Sequence, residues 1–550
     1  MLRRLPPEDL DIALRDRLVP VVDVAGLVLH VACGPRALAL ARQRGLKIVG
    51  SAAPEDFLAA ARMSHGRQLL AEATSGLARR MPHYSARQRL TFEQGVVLLL
   101  ALLALTAMLW LLPFGVVWFF GAVAGGLFFL PVVMLRLLCL MPPVARRAPD
   151  PPPLPEEKLP VYSVLVPLFR ETAVLQQLVA ALSALNYPPE KLDIKLILED
   201  EDIPMQRALA ALALPAPFEV ILVPAGRPQT KPRALNYALA FCRGELLTIY
   251  DAEDIPESDQ LLKAARRFAA APPDLACLQA KLTFFNPEEN WLARQFTAEY
   301  EVLFGLLLPA LADHRLPLPL GGTSNHFRMA ALRRAGAWDP FNVTEDADLG
   351  LRLARLGYDC ETLDSVTFEE ANTQLRNWMR QRARWLKGFL ATWLVHMREP
   401  ARLLQELGPA GFWTAQAVTL GVFASVLLHP FCLVLTVWLM TSQPLAPDGA
   451  GLAVLAAAAL NLLVLVAGYA LSILLTWKAL ARRGIGQRRV TLLTLPLYWL
   501  LMSAAAWLAL WQFITAPFHW NKTEHGLSRQ RNGARSRARP VRLRPRRGIG

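Results

Sequence analysis

The sequence predicts an α/β protein with three parts: a small N-terminal α/β domain, a central Rossmann-like sheet domain, and transmembrane helices on both sides of it. Between residues 160 and 400, short apolar runs alternate with helical patterns, and acidic residues follow several of the runs. Apolar residues make up 54% of the 550-residue chain, more than in ordinary soluble proteins. This excess is concentrated in long stretches before and after the central domain.

Residues 1–90 are predicted to form the N-terminal domain. Leu27–Ala32 and Leu46–Gly50 are typical of short strands, and a helical pattern follows each of them. The unit resembles the later half of the N-terminal domain of type II secretion ATPases. The Arg-Leu-Gly motif on which dinucleotide binding in that family is centred is absent here. We therefore expect a regulatory or docking domain and assign it no cyclic-di-GMP site.

Two apolar stretches, 96–112 and 115–138, predict a transmembrane hairpin within residues 95–140. Each is long enough for a hydrocarbon core that requires ~20 helical residues. Basic residues flank the hairpin at both ends: Arg87, Arg89, Arg136, Arg146 and Arg147. The positive-inside rule then places both ends in the cytoplasm. Residues 141–160 are Pro-rich and predict a stiff, extended linker.

The second membrane region is predicted at residues 405–515. It contains three apolar segments: 414–440, 451–476 and 491–514. If all three crossed the membrane, the Arg-rich tail would lie outside, against the positive-inside rule. We therefore expect two crossings, with the third segment broken at Pro496 and re-entrant or interfacial.

Four apolar runs within the central domain, 161–400, are typical of buried strands: Val161–Pro167, Ile194–Leu198, Glu219–Val223 and Leu246–Ile249. Acidic residues follow three of them, at Glu171, at Glu199–Asp202 and at Asp251–Asp254. Ligands bind at the carboxyl ends of strands in open α/β sheets. The pattern therefore predicts a nucleotide-binding sheet.

The segment Asp251-Ala252-Glu253-Asp254 places three carboxylates directly after a strand. Clustered carboxylates repel one another unless a cation or a proton relieves them. Hard oxygen ligands suit Mg²⁺ or Mn²⁺. Asp251, Glu253 and Asp254 are therefore candidate metal ligands. The alternative is an acidic turn that caps the next helix.

Four motifs occur in a characteristic order: Glu199–Asp202, Asp251–Glu253, Thr344–Asp346 and Gln381–Trp385. Together with the flanking apolar segments, they resemble the membrane-embedded family 2 glycosyltransferases with a GT-A fold, which include cellulose, chitin and hyaluronan synthases. The resemblance covers about 95–525 and is greatest to bacterial exopolysaccharide or β-glucan synthases. Glu253 departs from the pattern, because cellulose synthases usually have Asp there.

The resemblance implies a nucleotide-sugar donor and a metal-dependent hexosyltransferase. The donor-binding candidates are Glu171, Asp200, Asp202, Lys231 and Asp251, with Mg²⁺ or Mn²⁺ held by the acidic segment. A metal there acts as a Lewis acid on the diphosphate leaving group. The alternatives are solvated acids at strand ends and a surface lysine.

Direct displacement at the anomeric carbon requires a general base for the acceptor hydroxyl. Asp346, beside Glu345, is the candidate for this catalytic role. The alternative is that Thr344 and these two acids only cap a helix. Gln381, Arg384 and Trp385 share a helical face and are the candidate acceptor-binding residues. The alternative there, a basic amphipathic helix on the membrane surface, is compatible with that role.

These features predict a multi-pass enzyme of the bacterial inner membrane with a cytosolic catalytic domain. We expect it to polymerise a β-linked, glucan-like polysaccharide processively from UDP-glucose and to assist its export, with membrane lipids as neighbours and a homodimer or an export partner. The alternatives are a single-sugar transferase acting on a lipid and a catalytically idle scaffold or receptor.

The tail, 516–550, begins with Trp520–Gly526, which resembles the gating segment of cellulose synthases. The rest of the tail is rich in arginine and contributes much of the formal net charge of +14. Few aromatic residues are interleaved with these arginines, which argues against stacking on nucleic-acid bases. Anionic lipid headgroups explain such a charge beside membrane spans. We therefore expect no nucleic-acid partner.

Overall fold

The computed structural model describes residues 5–22, 27–142, 152–431, 452–486 and 488–516. The gating-like segment Trp520–Gly526, the basic tail and the first part of the Pro-rich linker lie outside these ranges. The same is true of Arg146, Arg147 and the later part of the span expected at 414–440.

The strands are β1 Leu18–Val22, β2 Val28–Cys33, β3 Ile48–Ala52, β4 Tyr162–Leu168, β5 Leu192–Glu199, β6 Phe218–Val223, β7 Leu246–Ile249, β8 Ile255–Pro256, β9 Leu275–Phe284, β10 Asn325–Arg328 and β11 Asp359–Glu369. The helices are α1 Pro7–Asp16, α2 Pro35–Gln43, α3 Pro54–Arg80, α4 Phe92–Leu111, α5 Phe114–Leu138, α6 Leu175–Ser183, α7 Ile203–Ala210, α8 Lys231–Leu239, α9 Gln260–Ala270, α10 Trp291–Val302, α11 Leu308–Asp313, α12 Met329–Arg334, α13 Glu345–Arg355, α14 Leu375–His396, α15 Pro400–Phe431, α16 Leu452–Arg483, α17 Arg488–Leu493 and α18 Leu495–Thr515.

The N-terminal unit is a three-stranded sheet in the order β1-β2-β3 with helices α1, α2 and α3. The two predicted strands are present as β2 and β3, which are parallel and joined by α2. The sequence did not indicate β1, which pairs antiparallel with β2. Its apolar run contains Pro20, and an edge strand, such as β1, is one of the places where a sheet accommodates proline.

The long helix α3 joins the N-terminal unit to the central domain. Phe57, Ala61 and Ala73 on α3 belong to the same buried cluster as Leu235 and Tyr237 on α8. The apolar contact shows that the unit is docked on the catalytic domain rather than attached only through a linker. Its role as a regulatory or docking domain stays a prediction.

The central sheet has eight strands in the order β6-β5-β4-β7-β10-β9-β11-β8. Strands β4 to β7 are parallel to one another, β10 is antiparallel to both its neighbours, and β11 is parallel to β9. All four predicted strands are confirmed. Asn325 and His326 are buried within β10, in the middle of the sheet.

Among the described residues, five helices are long and apolar enough to cross a membrane, by length and composition: Phe92–Leu111, Phe119–Leu138, Pro400–Phe431, Ala459–Arg483 and Leu495–Thr515. The first two coincide with the two apolar stretches of the predicted hairpin, whose crossing of the membrane stays a prediction. The third predicted segment, 491–514, is interrupted at Thr494, two residues before the break expected at Pro496, which itself lies in the first turn of α18. The first turn of a helix tolerates proline because the N–H of that position has no intrahelical partner.

Helix α18 nevertheless lies along α14, the helix that carries Gln381–Trp385. Near its start, the Tyr498 hydroxyl accepts a hydrogen bond from Arg382 at 3.2 Å. Just beyond its end, the Ala516 carbonyl accepts one from Lys387 at 3.3 Å. Both ends of α18 thus lie beside one polar helix, and whether α18 crosses the membrane or lies at its surface stays a prediction.

Candidate active site

One cavity of about 600 Å³ reaches from the carboxyl ends of the parallel strands to the apolar helices. Residues that end or follow β4, β5 and β7 form one wall, and residues of α13 and α14 form another. The chain runs from β4 to β5 and β6 on one side, then returns to β7 on the other side of β4. Open α/β sheets bind ligands at such a switch point.

Asp251 and Lys231 form an ion pair in this cavity. Strand β7 is completely buried, and the chain leaves the sheet just before Asp251. Lys231, the first residue of α8, donates hydrogen bonds to the Asp251 carboxylate and, at 2.7 Å, to the Gly322 carbonyl oxygen. Burial disfavours the charged amine, but Asp251 and Glu345 outweigh it and raise the pKa of Lys231. The cavity therefore keeps one fixed cation among its carboxylates.

Two further carboxylates, Glu253 and Glu369, line the same cavity. Burial, reinforced by Asp251 and Glu171, raises the pKa of Glu253 well above its usual range. Burial, reinforced by Asp254 and Glu253, does the same to the pKa of Glu369 at the end of β11. The negative charges here exceed what the nearby cations compensate.

This excess of hard oxygen donors fits a divalent cation such as Mg²⁺ or Mn²⁺. Asp251 and Glu253 both face the cavity. Within the described residues, no group of three or more His, Cys, Asp or Glu is arranged to enclose an ion. A cation would therefore share these carboxylates with the phosphate oxygens of a substrate, as Mg²⁺ commonly does.

Glu345 and Asp346 begin α13 and also line the cavity. The Ala347 amide donates a 2.8 Å hydrogen bond to Asp346 Oδ1. Burial raises the pKa of Asp346, and burial together with Asp346 raises the pKa of Glu345 to about 7. Thr344 stands at the N-cap position, but its hydroxyl donates to Asn342 Oδ1 at 3.3 Å and does not cap the helix.

Helix α14 brings Gln381, Arg384 and Trp385 to the cavity, as their shared face predicts. Burial lowers the pKa of Arg384, while Glu345 and Asp346 oppose this effect. The Trp385 ring is nearly parallel to that of Tyr300, at 25° and 6.1 Å between centroids. A guanidinium and an aromatic face thus lie opposite the carboxylates of the sheet.

The model of one protein family, described as glycosyl transferase family group 2, matches residues 246–520, half of the chain. This chain belongs to that family.

Two curated relatives illustrate the similarity to the glycosyltransferases. A β-monoglucosyldiacylglycerol synthase of Trichormus variabilis is 29% identical over 235 residues, which are 42% of this chain and 49% of that enzyme. Cellulose synthase 1 of Komagataeibacter xylinus is 27% identical over 252 residues, which are 44% of this chain and 16% of that enzyme. The matched region thus spans half or less of these relatives.

A solved structure, the mannosyltransferase PcManGT from Pyrobaculum calidifontis in complex with GDP-Man and Mn²⁺, is 18% identical. Its similarity covers 75% of this chain and 97% of that chain, with a TM-score of 0.41.

The family match begins at residue 246, so the relation of the N-terminal unit to secretion ATPases stays a prediction.

Two expected donor-binding residues of this glycosyltransferase, Asp200 and Asp202, do not reach the cavity. Asp200 pairs with Arg62 of the N-terminal unit at 2.5 Å, and its side chain is 44% exposed. Asp202 is buried and caps α7, where its carboxylate accepts hydrogen bonds from Met205 N at 3.3 Å and from Arg170 N at 2.6 Å. Both lie in the turn after β5, which bends away from the site.

Asp254 also departs from its expected place as a metal ligand. It is 1% exposed and does not line the cavity. Its Oδ2 accepts a 2.7 Å hydrogen bond from Asp251 N and another from the Thr323 hydroxyl. Asp254 therefore holds the turn that presents Asp251 and Glu253. Glu171, by contrast, does line the cavity as expected.

Sequence reasoning missed three acidic residues of the cavity wall, Glu199, Glu299 and Glu369. Glu299 is paired with Arg382 at 2.6 Å. Glu199, the last residue of β5, is bound by the buried Arg233 at 2.6 Å. Glu199 belongs to the acidic motif Glu199–Asp202, and it is the residue of that motif that faces the cavity. Glu369 ends β11, a strand that the sequence analysis did not detect.

The membrane end of the glycosyltransferase cavity has a different lining. Aliphatic residues come from three apolar helices, including Val132 on α5, Val422 on α15 and Leu475 on α16. Trp499 of α18 also borders this end. An acceptor that reaches Asp346 from this side would pass between these helices.

Proposed function

We propose that this chain is an inverting, metal-dependent hexosyltransferase that uses a nucleotide sugar and acts on an acceptor at the bacterial inner membrane. The observation that carries the proposal is the single cavity. It holds the carboxylates after the sheet strands, Glu345 and Asp346, the cations Lys231 and Arg384, and residues of the apolar helices.

The sheet side of the cavity would hold the donor. Glu171 lies after β4, where the base and ribose of a nucleotide are bound in doubly wound sheets. Lys231 and Arg384 would face the diphosphate, for which a guanidinium offers paired hydrogen bonds. Asp251 and Glu253 would hold Mg²⁺ or Mn²⁺, which when bound neutralises the charge of the leaving diphosphate.

Asp346 would act as the general base. The acceptor hydroxyl gives its proton to the Asp346 carboxylate while its oxygen forms a bond to the anomeric carbon. The bond from that carbon to the phosphate oxygen breaks, and its electron pair leaves with the nucleoside diphosphate. One displacement inverts the anomeric centre, so an α-linked donor yields a β-linked product.

The favoured substrate pair is UDP-glucose and a growing β-glucan-like chain, extended processively. Trp385, backed by Tyr300, offers an aromatic face on which a sugar ring can stack, with Gln381 beside it as an amide. The catalytic domain would be cytosolic and the polymer would be exported between the apolar helices, with the help of a second copy or an export partner.

A second candidate function is the addition of one sugar to a lipid acceptor. The aliphatic lining supplied by Val132, Val422 and Leu475 favours it, because an acyl chain gains more from such a wall than a hydrated polymer does. A catalytically idle scaffold or receptor is the third alternative. It gives no reason for several buried carboxylates to face one cavity.

The test is donor turnover by the purified chain in lipid nanodiscs with Mg²⁺ or Mn²⁺. UDP- and GDP-sugars are screened for release of the nucleoside diphosphate, and the products are sized. A high-mass polymer from one donor, absent with Asp346→Asn, supports processive synthesis. A short glycolipid supports single transfer. Donor binding without turnover by any donor would favour the scaffold.

A further inference from the structure

The segment Pro82–Gln88 connects the docked N-terminal helix α3 to the first membrane helix, α4. The segment packs against the central domain along its length. It lies between the loop that leads into α13 and the C-terminal end of α14, the two elements that supply Asp346 and Arg384.

Its first contact is with Asp339, six residues before Glu345. Ser85 Oγ donates to Asp339 Oδ1 at 3.1 Å, and Ala86 N donates to Asp339 Oδ2. Phe341 N also donates to Asp339 Oδ1, at 3.1 Å. Asp339 is completely buried. One carboxylate thereby ties the segment to the loop that delivers the catalytic helix.

Its second contact is with Arg398, just after α14. The guanidinium donates to the carbonyl oxygens of Pro82 at 2.8 Å, Ser85 at 2.9 Å and Gln88. Three hydrogen bonds from one charged side chain fix the segment against the end of α14. Charge-assisted hydrogen bonds of this kind are among the stronger ones in proteins.

Its third contact is Tyr84, which is 2% exposed and lies under the last turn of α13. The Arg355 guanidinium lies 4.7 Å from the centre of the Tyr84 ring. Arg355 Nε also donates to Glu406 at 2.6 Å, which joins α13 to α15. The Tyr84 hydroxyl has no hydrogen-bond partner among the described residues, so the ring itself makes the contact.

The helix α13 transmits this contact to the active site. Asp348, two residues after Asp346, is buried between Arg352 at 2.5 Å and His396 Nε2 at 3.1 Å. The His396 ring lies 6.1 Å from the Tyr84 ring. A hydrogen-bonded helix moves as a unit, so a shift at Arg355 is carried to Asp346 at its first turn.

We propose that Tyr84 is a positioning residue for Asp346, and that the contact of Pro82–Gln88 with α13 thereby acts on the transfer step and not on donor binding. The inference rests on the proposed function, in which Asp346 is the general base. Lys231 and Asp251 are held through α8 and β7, which the segment does not contact through any of these bonds. A misplacement of about 1 Å near the chemistry costs about 10²-fold in rate.

The test replaces Tyr84 by Leu, with Tyr84→Phe as the matched control. Tyr84→Leu removes the ring under Arg355 and should lower kcat about 10²-fold with the donor KM and the affinity for UDP unchanged. Tyr84→Phe keeps the ring and should keep the wild-type kcat. Equal losses of kcat and donor affinity, or a Phe variant as slow as the Leu variant, would overturn the proposal.

A second readout does not depend on turnover. Amide hydrogen exchange in residues 345–355 should be faster in Tyr84→Leu than in wild type, and unchanged there in Tyr84→Phe. Unchanged exchange in Tyr84→Leu would overturn the proposal even if the wild type transfers no sugar, an outcome that would separately defeat the proposed function. If Tyr84→Leu does not fold, Ser85→Ala, which removes one bond to Asp339, carries the same expectations in the same directions.

Discussion

Two sets of buried carboxylates in this molecule differ in how their charge is compensated. Outside the cavity, Asp348 is paired with Arg352 and hydrogen-bonded to His396, and these two partners outweigh burial and lower its pKa. Glu301 is paired with Lys281 and Arg483 in the same way, again with a lowered pKa.

In the cavity the effect of burial is not outweighed. The pKa values of Glu253, Glu345, Asp346 and Glu369 are all raised by burial, even though Lys231 lies among them. Ionisable groups with such shifts in a cleft mark functional sites. Under the proposed function, a bound cation and the substrate would compensate the cavity carboxylates, whereas Asp348 and Glu301 are already paired within the protein.

The largest effect is expected from Asp346→Asn. Loss of a general base lowers the rate by about 10²- to 10⁴-fold. The amide carries no charge, so the variant should melt at the wild-type temperature or above it. Steady-state turnover and thermal unfolding, measured on the same preparation, check both expectations. If Asp346→Asn lost its fold as well as its turnover, Asp346 would belong with the stabilising carboxylates outside the cavity, and the distinction drawn here would be wrong.

The opposite pattern is expected from Asp348→Asn, two residues along the same helix. Removing this carboxylate leaves Arg352 buried and unpaired, which costs about 3–5 kcal/mol. The variant should unfold at a markedly lower temperature or denaturant concentration than Asp346→Asn. Equal stability of the two variants would contradict the assignment of Asp348 to the scaffold.

Glu253→Gln should uncouple the protein from divalent cations. A cation that binds only the folded state at 100 times its Kd stabilises that state by about 2.7 kcal/mol. Mn²⁺ should therefore raise the melting temperature of the wild type and have a smaller effect on the variant. Glu257→Gln, a carboxylate paired with Lys263 away from the cavity, is the control and should respond as the wild type does.

Turnover should fall as the pH drops below about 7. Glu345 has a pKa of about 7 and the pKa of Asp346 is also raised, so acid protonates the pair and removes the base. Glu345→Gln removes the carboxyl whose pKa is about 7, so the acidic limb of the rate profile should move to the lower pH at which Asp346 is protonated. An unmoved limb would mean that other groups control it.

The smallest effect is expected from Asp200→Asn. Its partner Arg62 is also partly exposed, and surface ion pairs contribute about 0–1 kcal/mol. The donor KM should not change, because the side chain lies outside the cavity. A large rise in the donor KM would restore Asp200 to the donor site predicted from the sequence.

Much of the fold could be predicted because its signals are local. The buried runs of β4, β5, β6 and β7 are apolar, and the first membrane hairpin is evident from length alone. Strand β1 was missed because Pro20 interrupts its pattern. The break expected at Pro496 lies two residues earlier, at Thr494, because the first turn of the following helix accommodates the proline.

The candidate-site residues that were predicted correctly to reach the cavity are those whose motif determines both the residue type and the direction of the side chain. Asp251, Glu253, Asp346 and Arg384 all reach the cavity. Spacing in the sequence does not show which carboxylate of a cluster accepts hydrogen bonds from main-chain amides and which faces the cavity. That is why Asp202 and Asp254, both bound to main-chain amides, were assigned to ligands. The role of each cavity residue stays a prediction until it is measured.

The most direct test of the central claim is the calorimetric titration of UDP and GDP into the protein in nanodiscs, with and without Mn²⁺. If the cavity carboxylates bind a cation together with the diphosphate of a nucleotide, Mn²⁺ should tighten nucleotide binding in the wild type and in Asp200→Asn. The same addition should have little effect in Glu253→Gln. Binding of either nucleotide that is equally tight with and without Mn²⁺ in the wild type, or coupling that survives in Glu253→Gln, would contradict the account.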